Sequence, residues 1–224
     1  MKRLLCYVVT LLFVFSANAQ ADVTKFLGIP VDGSKEEMIA KLEDKGFRMV
    51  EYDSNNDAVL EGEFNGVNVY VVIVTNKNKV YRIMVVDKFN QNGNSIKIRF
   101  NTLCEQFKNH PNYFPLDKDY KIPENEDIER EILINKKNYQ AVFYQRIDTK
   151  SDWYSQELKN FVKSLYTQEQ REEINTEEQK DLIIASLYFL TQKTVWFQIS
   201  EFGGKYLIVM FYDNKYNKAN GEDL

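Results

Sequence analysis

The pattern around Asn65-Gly66 constrains the fold more than any other feature of this chain. The dipeptide stands between two stretches, 58–64 and 67–75, in which apolar and polar residues largely alternate. An Asn-Gly pair between such stretches is typical of a two-residue hairpin turn, which fixes the register of two antiparallel strands. A period of two places alternate side chains on one face, here Val67, Val69, Val71 and Ile73. The sequence therefore predicts an antiparallel sheet with one apolar face.

A helix is predicted just before these strands. Ser34 and Glu37 have the spacing of a capping box, in which each side chain binds the backbone N–H of the other residue. Met38 and Leu42 follow at helical spacing, and Gly46 stands where a helix end favours a left-handed residue. Strands are then predicted at four positions: 47–52, 58–64, 67–75 and 79–87.

The second half of the chain repeats this order. A helix is predicted from about residue 94 by four apolar residues at helical spacing: Ile96, Phe100, Leu103 and Phe107. It ends near Asn109 because His110 precedes a proline, and such a residue avoids the helical region. Residues 151–192 are predicted to form a helical insertion. Strands are predicted on both sides of it: 128–135, 138–147, 194–201 and 205–212.

Two stretches indicate an internal repeat. Both "LEGEFNGVNVYVVIV" and "IEREILINKKNYQAVFY" place acidic residues before an apolar strand, a polar turn and a longer strand. We therefore expect an α+β fold of two tandem units, each a helix packed on an antiparallel sheet. The first unit spans 20–92 and the second 93–213, with a polar tail at 214–224. The two sheets could join into one.

Two further stretches carry a resemblance to known proteins. "FLGIPVDGSKEEMIAKLEDKGF" near the start and "YDNKYNKANGEDL" at the end resemble uncharacterised exported proteins of anaerobic gut Gram-negative bacteria. That group is similar in fold to beta-lactamase-inhibitor-protein-like domains, which pack helices on one face of an antiparallel sheet, often in tandem. The resemblance implies this fold and export, and it implies no catalytic residues. Lactamase inhibition and lipid anchoring do not carry over, because the expected disulfides and the lipoprotein cysteine are missing.

Residues 1–19 have the pattern of a secretory signal peptide. Two basic residues precede an apolar stretch at 4–16, and Ala-Asn-Ala at 17–19 forms a small-x-small cleavage site. The apolar stretch is shorter than the roughly 20 residues that a transmembrane helix needs. Cleavage is expected before Gln20, with cleavage after Ala21 as the alternative. We therefore expect a periplasmic or secreted protein that does not insert in a membrane once cleaved.

Charge and cysteine content exclude further classes. The chain has 33 acidic and 29 basic residues, a formal charge of −4, and loss of Lys2 and Arg3 with the signal makes it more acidic. Nucleic acids require a basic surplus, so no nucleic-acid partner is expected. Cys104 is alone once Cys6 is removed, which rules out an intramolecular disulfide. Cys104 is expected to be a buried apolar residue, because nothing nearby would lower the pKa of its thiol.

Catalytic and metal-binding motifs are not found in the sequence. His110 is the only histidine, and Cys104 would face another side of a helix, so neither a Cys-His pair nor a Ser-His-Asp triad is expected. The residues Asp53, Asn55 and Asp57 resemble the start of a calcium loop, but alanine follows where the loop requires glycine. They favour a strand-connecting turn. We expect no metal and no cofactor.

Paired carboxylates leave an enzymatic alternative open. Glu61 and Glu63 are two residues apart in a predicted strand, and so are Glu129 and Glu131; each pair therefore shares a face. Two carboxylates serve as acid and base in glycoside cleavage. A carboxylate-dependent hydrolase acting on glycans is thus an alternative function, although a solvated sheet face explains the pairs more simply.

The predicted function is non-catalytic binding through the open face of the sheet. Six side chains are expected on that face: Tyr70, Arg82, Tyr144, Arg146, Trp196 and Gln198. Tyr, Trp and Arg dominate protein-binding surfaces, so the expected ligand is a protein or peptide in the envelope or outside the cell. Two alternatives stay open. The inserted helices could cover the second-unit face and make Trp196 a core residue, or the protein could be a structural factor in envelope assembly.

Overall fold

The computed structural model describes residues 22–147, 150, 154–156, 160 and 192–218. Its first half holds a short hairpin, a helix and four strands: β1 (Lys25–Phe26), β2 (Ile29–Pro30), α1 (Lys35–Glu43), β3 (Arg48–Tyr52), β4 (Ala58–Phe64), β5 (Val67–Asn76) and β6 (Lys79–Asp87). The capping box is confirmed, because the side chains of Ser34 and Glu37 each accept the backbone N–H of the other residue. The four predicted strands are confirmed as β3 to β6.

The elements given for the described parts of the second half are α2 (Gly93–Asn109), β7 (Tyr113–Pro115), α3 (Ile128–Leu133), β8 (Gln140–Gln145), β9 (Lys193–Phe202) and β10 (Lys205–Asn214). The predicted helix is confirmed as α2, whose first turn is capped by the Asn92 side chain, 2.9 Å from the backbone nitrogen of Ser95. The last predicted hairpin is confirmed as β9 and β10, which turn at Gly203-Gly204.

The turns have the backbone that their sequences predict. Asn65 and Gly66 have φ angles of 53° and 76°, as a two-residue hairpin turn of this hand requires. Gly203 and Gly204 also have positive φ angles, of 59° and 74°. These two turns fix the β4–β5 and β9–β10 registers and so decide which side chains share a face.

The longer described strands form one eight-stranded antiparallel sheet in the order β3-β4-β5-β6-β10-β9-β8-β7. After each of α1 and α2, four strands pair in chain order, and the two sets join through their last strands, β6 and β10. Across that junction Val209 lies opposite Val86, and Asp213 lies opposite Arg82. The α+β class is confirmed, and the strands of both halves make one continuous sheet.

Both α1 and α2 pack on the same face of this sheet. Met38 of α1 and Phe100 of α2 belong to one cluster of buried side chains, together with the inward residues of the strands. The inward residues of β9 are the three that alternate in its sequence: Val195, Phe197 and Ile199. We call the opposite face, which carries the alternate side chains of the same strands, the far face.

The strand predicted at 128–135 is wrong. Residues 128–133 form α3, because the Asp127 side chain accepts the N–H of Arg130 at 3.2 Å and caps a helical turn. Ile128 and Ile132, four residues apart, then face the core together. The stretch "IEREILINKKNYQAVFY" is thus a helix and a strand, whereas "LEGEFNGVNVYVVIV" forms the two strands β4 and β5. The local likeness between them does not extend to their structures.

The last strand extends beyond the predicted strand 205–212 and into the predicted polar tail at 214–224. Asp213 and Asn214 are the last residues of β10, and Asn214 is only 1% exposed. Its side-chain amide donates to the Val31 carbonyl at 2.7 Å, which ties the strand to the segment before α1. The short strand β7, at the edge of the sheet, was not predicted either.

Two predicted segments lie outside the described residues. They are the signal peptide at 1–19 and most of the helical insertion at 151–192, of which 154–156 and 160 are described as helical. None of the described helices is long and apolar enough to cross a membrane.

Candidate functional site

A cluster of four side chains lies at the centre of the far face. The ring of Trp196 stacks on Phe211 with centroids 3.9 Å apart and planes inclined by 17°. Its Nε1 donates to Asp213 Oδ2 at 3.1 Å. Arg82 donates to both oxygens of Asp213, through Nε at 2.5 Å and Nη2 at 2.9 Å, and lies over the Phe211 ring with Cζ 4.9 Å from the centroid. The β6–β10–β9 register produces this cluster.

The ion pair in this cluster is already satisfied. The side chains of Arg82 and Asp213 are 23% and 17% exposed, and the hydrogen bonds that Arg82 donates to Asp213 raise the pKa of Arg82 although burial acts to lower it. A bidentate pair of this kind holds both groups in one geometry. The cluster therefore offers a preset aromatic and guanidinium surface with little net charge.

A second cluster lies nearer the β3 edge of the same face. Glu61 accepts from Arg48 and from Lys88, whose Nζ lies 2.6 Å from Oε2. These hydrogen bonds lower the pKa of Glu61, and the bond that Lys88 donates to Glu61 raises the pKa of Lys88. Lys88 Nζ also lies 5.2 Å from the centroid of the Tyr70 ring. Here too the charges are paired within the chain.

Tyr144 and Arg146 lie at the opposite edge. The rings of Tyr144 and Phe114 have centroids 5.4 Å apart, and Cζ of Arg146 lies 6.0 Å from the Phe114 ring. Burial raises the pKa of Tyr144. Arg146 is exposed just beyond β8, and its Nε donates to the Pro111 carbonyl at 2.8 Å. At this edge Arg146 contacts Pro111 and Phe114 rather than the residues of the central cluster.

Five of the six predicted side chains thus share the far face. The register places Tyr70, Arg82, Tyr144, Trp196 and Gln198 there, each half-buried, while Arg146 lies at the end of β8. Sequence reasoning did not assign Phe211 to the open face although it lies in the predicted strand 205–212, and it missed Asp213, which lies just beyond that predicted strand. The alternation of buried residues along β10 was the available signal: Tyr206, Ile208, Met210 and Tyr212.

A cleft of about 940 Å³ opens beside the carboxyl end of α2. It lies between the β1–β2 hairpin, the β4–β5 turn and the segment that leads from α2 into β7. The side chain of Asn65 donates to Gln106 Oε1 at 2.7 Å, which joins the turn to α2. The cleft is within the size range of small-molecule sites.

Gln145 organises the inner wall of this cleft. Its Oε1 accepts the N–H of Lys25 at 2.7 Å, and its Nε2 donates to the Lys25 carbonyl at 2.6 Å and to Tyr113 Oη at 2.8 Å. Tyr113 is also hydrogen-bonded to the buried Tyr212, and burial raises the pKa of both phenols. Every polar atom of the Gln145 amide is therefore used to fix the wall.

Cys104 and His110 lie in different environments. Cys104 is 7% exposed in the core, and burial raises the pKa of its thiol to about 12. A thiol with so high a pKa is a poor nucleophile at neutral pH. His110 follows α2 with an extended backbone, and its ring packs against Tyr113 with centroids 5.1 Å apart. The expectation that Cys104 is a buried apolar residue is confirmed.

The carboxylates of α3 do not form a pair. Glu129 and Glu131 were expected on one strand face, but two residues apart on a helix they point in different directions. Glu129 Oε1 instead accepts the N–H of Gly93 at 3.0 Å, at the start of α2. The turn predicted at Asp53 is confirmed, since Asp53 Oδ1 accepts the backbone N–H groups of Asn55 and Asp57.

Within the described parts of the chain, no group of three or more His, Cys, Asp or Glu side chains could hold a metal ion. Comparison with known proteins gives no match to a protein family, to a curated protein or to a solved structure.

Proposed function

We propose that this chain is an exported, non-catalytic binding protein that takes a protein or peptide partner on its far face. The observation that carries the proposal is the meeting of Arg82 and Trp196 at the Asp213 carboxylate, although they are 114 positions apart in the chain. Stacked aromatic rings held beside an arginine are typical of the centre of a protein interface. The pattern of residues 1–19 supports export to the periplasm or beyond.

The geometry favours a partner without charge at its point of contact. Arg82 is paired with Asp213, while Arg48 and Lys88 share the single carboxylate of Glu61, so these five side chains carry a net charge of only +1. Half-buried apolar side chains surround these pairs: Val59, Val74, Met84, Val86, Val142 and Val209. A segment with aliphatic, aromatic or amide side chains fits this surface. Because the clusters are already ordered, binding loses little side-chain entropy.

We also propose that the chain is a tandem of two related units of the beta-lactamase-inhibitor-protein-like kind. The topology supports this proposal, since each of α1 and α2 precedes four strands that pair in chain order. Union of the two sheets through β6 and β10 gives a face wider than either unit alone has. The proposed binding surface lies on both sides of that junction.

The hydrolase alternative receives less support. One of the two carboxyl groups must be protonated to act as the acid in glycoside cleavage. Glu61 has a lowered pKa because Lys88 and Arg48 bind it, so it is ionised at neutral pH and does not donate a proton. Glu129 and Glu131 do not face one another. Binding is therefore the function that the geometry supports best.

Affinity capture from envelope extract tests the far-face proposal. Wild-type protein is compared with Gln198→Lys, Tyr144→Ala and Trp196→Ala, with Ile98→Ala, an exposed residue of α2, as the matched control. We expect each far-face variant to bind the wild-type partner about thirtyfold more weakly, because loss of a contact at an interface centre costs about 2 kcal/mol. Retention should survive high salt. Equal retention by wild type and the folded Gln198→Lys and Tyr144→Ala variants would show that this surface is wrong.

A further inference from the structure

The cleft beside α2 has a chemistry that the far face lacks. Its lining includes five amide side chains, drawn from separate parts of the chain: Asn65, Gln106, Asn109, Asn112 and Gln145. An amide side chain offers both donors and an acceptor at one place. Apolar contacts come from Leu27 and from the ring of Phe64. Such a lining suits a ligand that has many groups able both to donate and to accept hydrogen bonds, and that also has an apolar surface.

Two of these amides are wholly available to a ligand, and a third is available in part. The side chains of Asn109 and Asn112 make no hydrogen bond to any described residue, whereas Gln145 is fully used by Lys25 and Tyr113. Gln106 keeps its two amide donors, because only its oxygen is bound, by Asn65. The fixed amide thus shapes the wall, and the other amides line the open space.

Two cations lie along the same wall. The side-chain amide of Gln145 binds both the backbone N–H and the backbone carbonyl of Lys25. Arg146 follows Gln145 in the chain, so both cations lie beside this amide. Arg146 is oriented by its Nε bond to Pro111, while its two terminal nitrogens form no hydrogen bond with the described residues. The Lys25 ammonium is exposed and has no acidic partner among them. Lys193, by contrast, is paired with Asp22 at 2.9 Å.

We propose that this cleft binds a short oligosaccharide that carries a carboxylate, such as a uronic-acid oligomer. The carboxylate is held by Arg146 and Lys25, since a guanidinium with two free terminal nitrogens matches a carboxylate. Sugar hydroxyls are both donors and acceptors, and they pair with the amides of Asn109, Asn112 and Gln106. The apolar face of a sugar ring packs on Phe64.

Two acidic side chains line the cleft, and Asp22 is paired with Lys193, so Glu63 is the one that limits the charge of the ligand. Glu63 lines the cleft and has no partner among the described residues. Its carboxylate repels a ligand that carries many closely spaced negative charges. A sugar oligomer with one carboxylate per ring can instead place its carboxylate at the cations and its hydroxyls near Glu63. An acidic peptide offers one N–H and one C=O per residue, whereas each sugar ring carries several hydroxyls that are both donors and acceptors and so can engage more of the amides. The lining therefore favours an acidic sugar over an acidic peptide.

Binding to an oligosaccharide panel tests the proposal. The purified protein is titrated by calorimetry with oligomers of galacturonate, glucuronate and sialic acid, with neutral oligomers of equal length, and with triglutamate. We expect at least one acidic oligosaccharide to bind about tenfold more tightly than its neutral counterpart and triglutamate, and less tightly at high salt. Arg146→Ala and Lys25→Ala should each weaken that binding about tenfold.

Two further variants keep the test falsifiable. Glu63→Gln should bind the acidic oligosaccharide more tightly, since a repelling carboxylate is gone, and Lys41→Ala, on the exposed side of α1, should bind it as wild type does. The proposal is overturned if no acidic oligosaccharide binds, if triglutamate binds equally well, or if the Arg146 and Lys25 variants bind unchanged. Glu63 shares the strand face of Glu61, and Arg146 lies against Phe114 beside Tyr144, so both border the far face. Lys25→Ala lies outside the far face and should retain the affinity-capture partner as wild type does, which separates the two tests.

Discussion

At the scale of single residues, close packing explains a glycine that the sequence pattern leaves unexplained. Gly62 lies within β4, where glycine normally weakens a strand. A Cβ added there would lie 2.6 Å from Cδ1 of Phe47, a buried ring just before β3. A glycine in a strand predicts that something approaches closely. The sequence does not name the approaching side chain, because the contact depends on how β3 and β4 pair.

Gly62→Ala should lower the free energy of unfolding by about 1–3 kcal/mol, because a methyl group is forced into a filled core. Phe47→Leu in the same chain should recover part of this loss, since it removes the ring edge that the methyl group meets. Urea unfolding of the two single variants and the double variant gives the coupling free energy between positions 62 and 47. If the losses add fully, Phe47 is not the side chain that excludes a Cβ at this position.

At the scale of elements, a helix cap explains why α3 is a helix although its charged residues alternate as they would in a strand. Glu129 and Glu131 alternate with apolar or basic residues in a way that predicts a strand, but Asp127 caps the backbone at Arg130. The apolar spacing from Ile128 to Ile132 was the competing helical signal. So short a segment fits both the helical period of 3.6 residues and the strand period of two, and contacts outside the segment decide which structure forms.

Glu129→Ala should lower the free energy of unfolding by about 1 kcal/mol, because the Gly93 N–H at the start of α2 then loses its acceptor. Glu131→Ala is the matched control, since its carboxylate accepts only from Asn135 within the same exposed turn, and its effect should stay within about 0.5 kcal/mol. Thermal unfolding measures both. Equal effects would contradict the helical assignment and favour the strand pattern, in which the two residues are equivalent.

At the scale of the whole molecule, local patterns predict most elements but not how the two halves meet. Period, caps and turn residues placed α1, α2, β3 to β6 and the last hairpin, because those signals are local. The pairing of β6 with β10 leaves no local signal, so the contact of Arg82 with Asp213 and Trp196 was not predicted. The cleft was missed for the same reason, since its lining comes from several distant segments.

Hydroxyl-radical footprinting of the protein, with and without the partner retained in affinity capture, tests the far-face account most directly. We predict that the partner lowers oxidation of Trp196, Tyr144 and Tyr70, which lie on the far face of both halves. Oxidation of Ile98 on α2 and of Phe89, both exposed, should not change. Unchanged oxidation of Trp196 and Tyr144, with protection at Ile98 instead, would contradict the account and place the partner on the helical face.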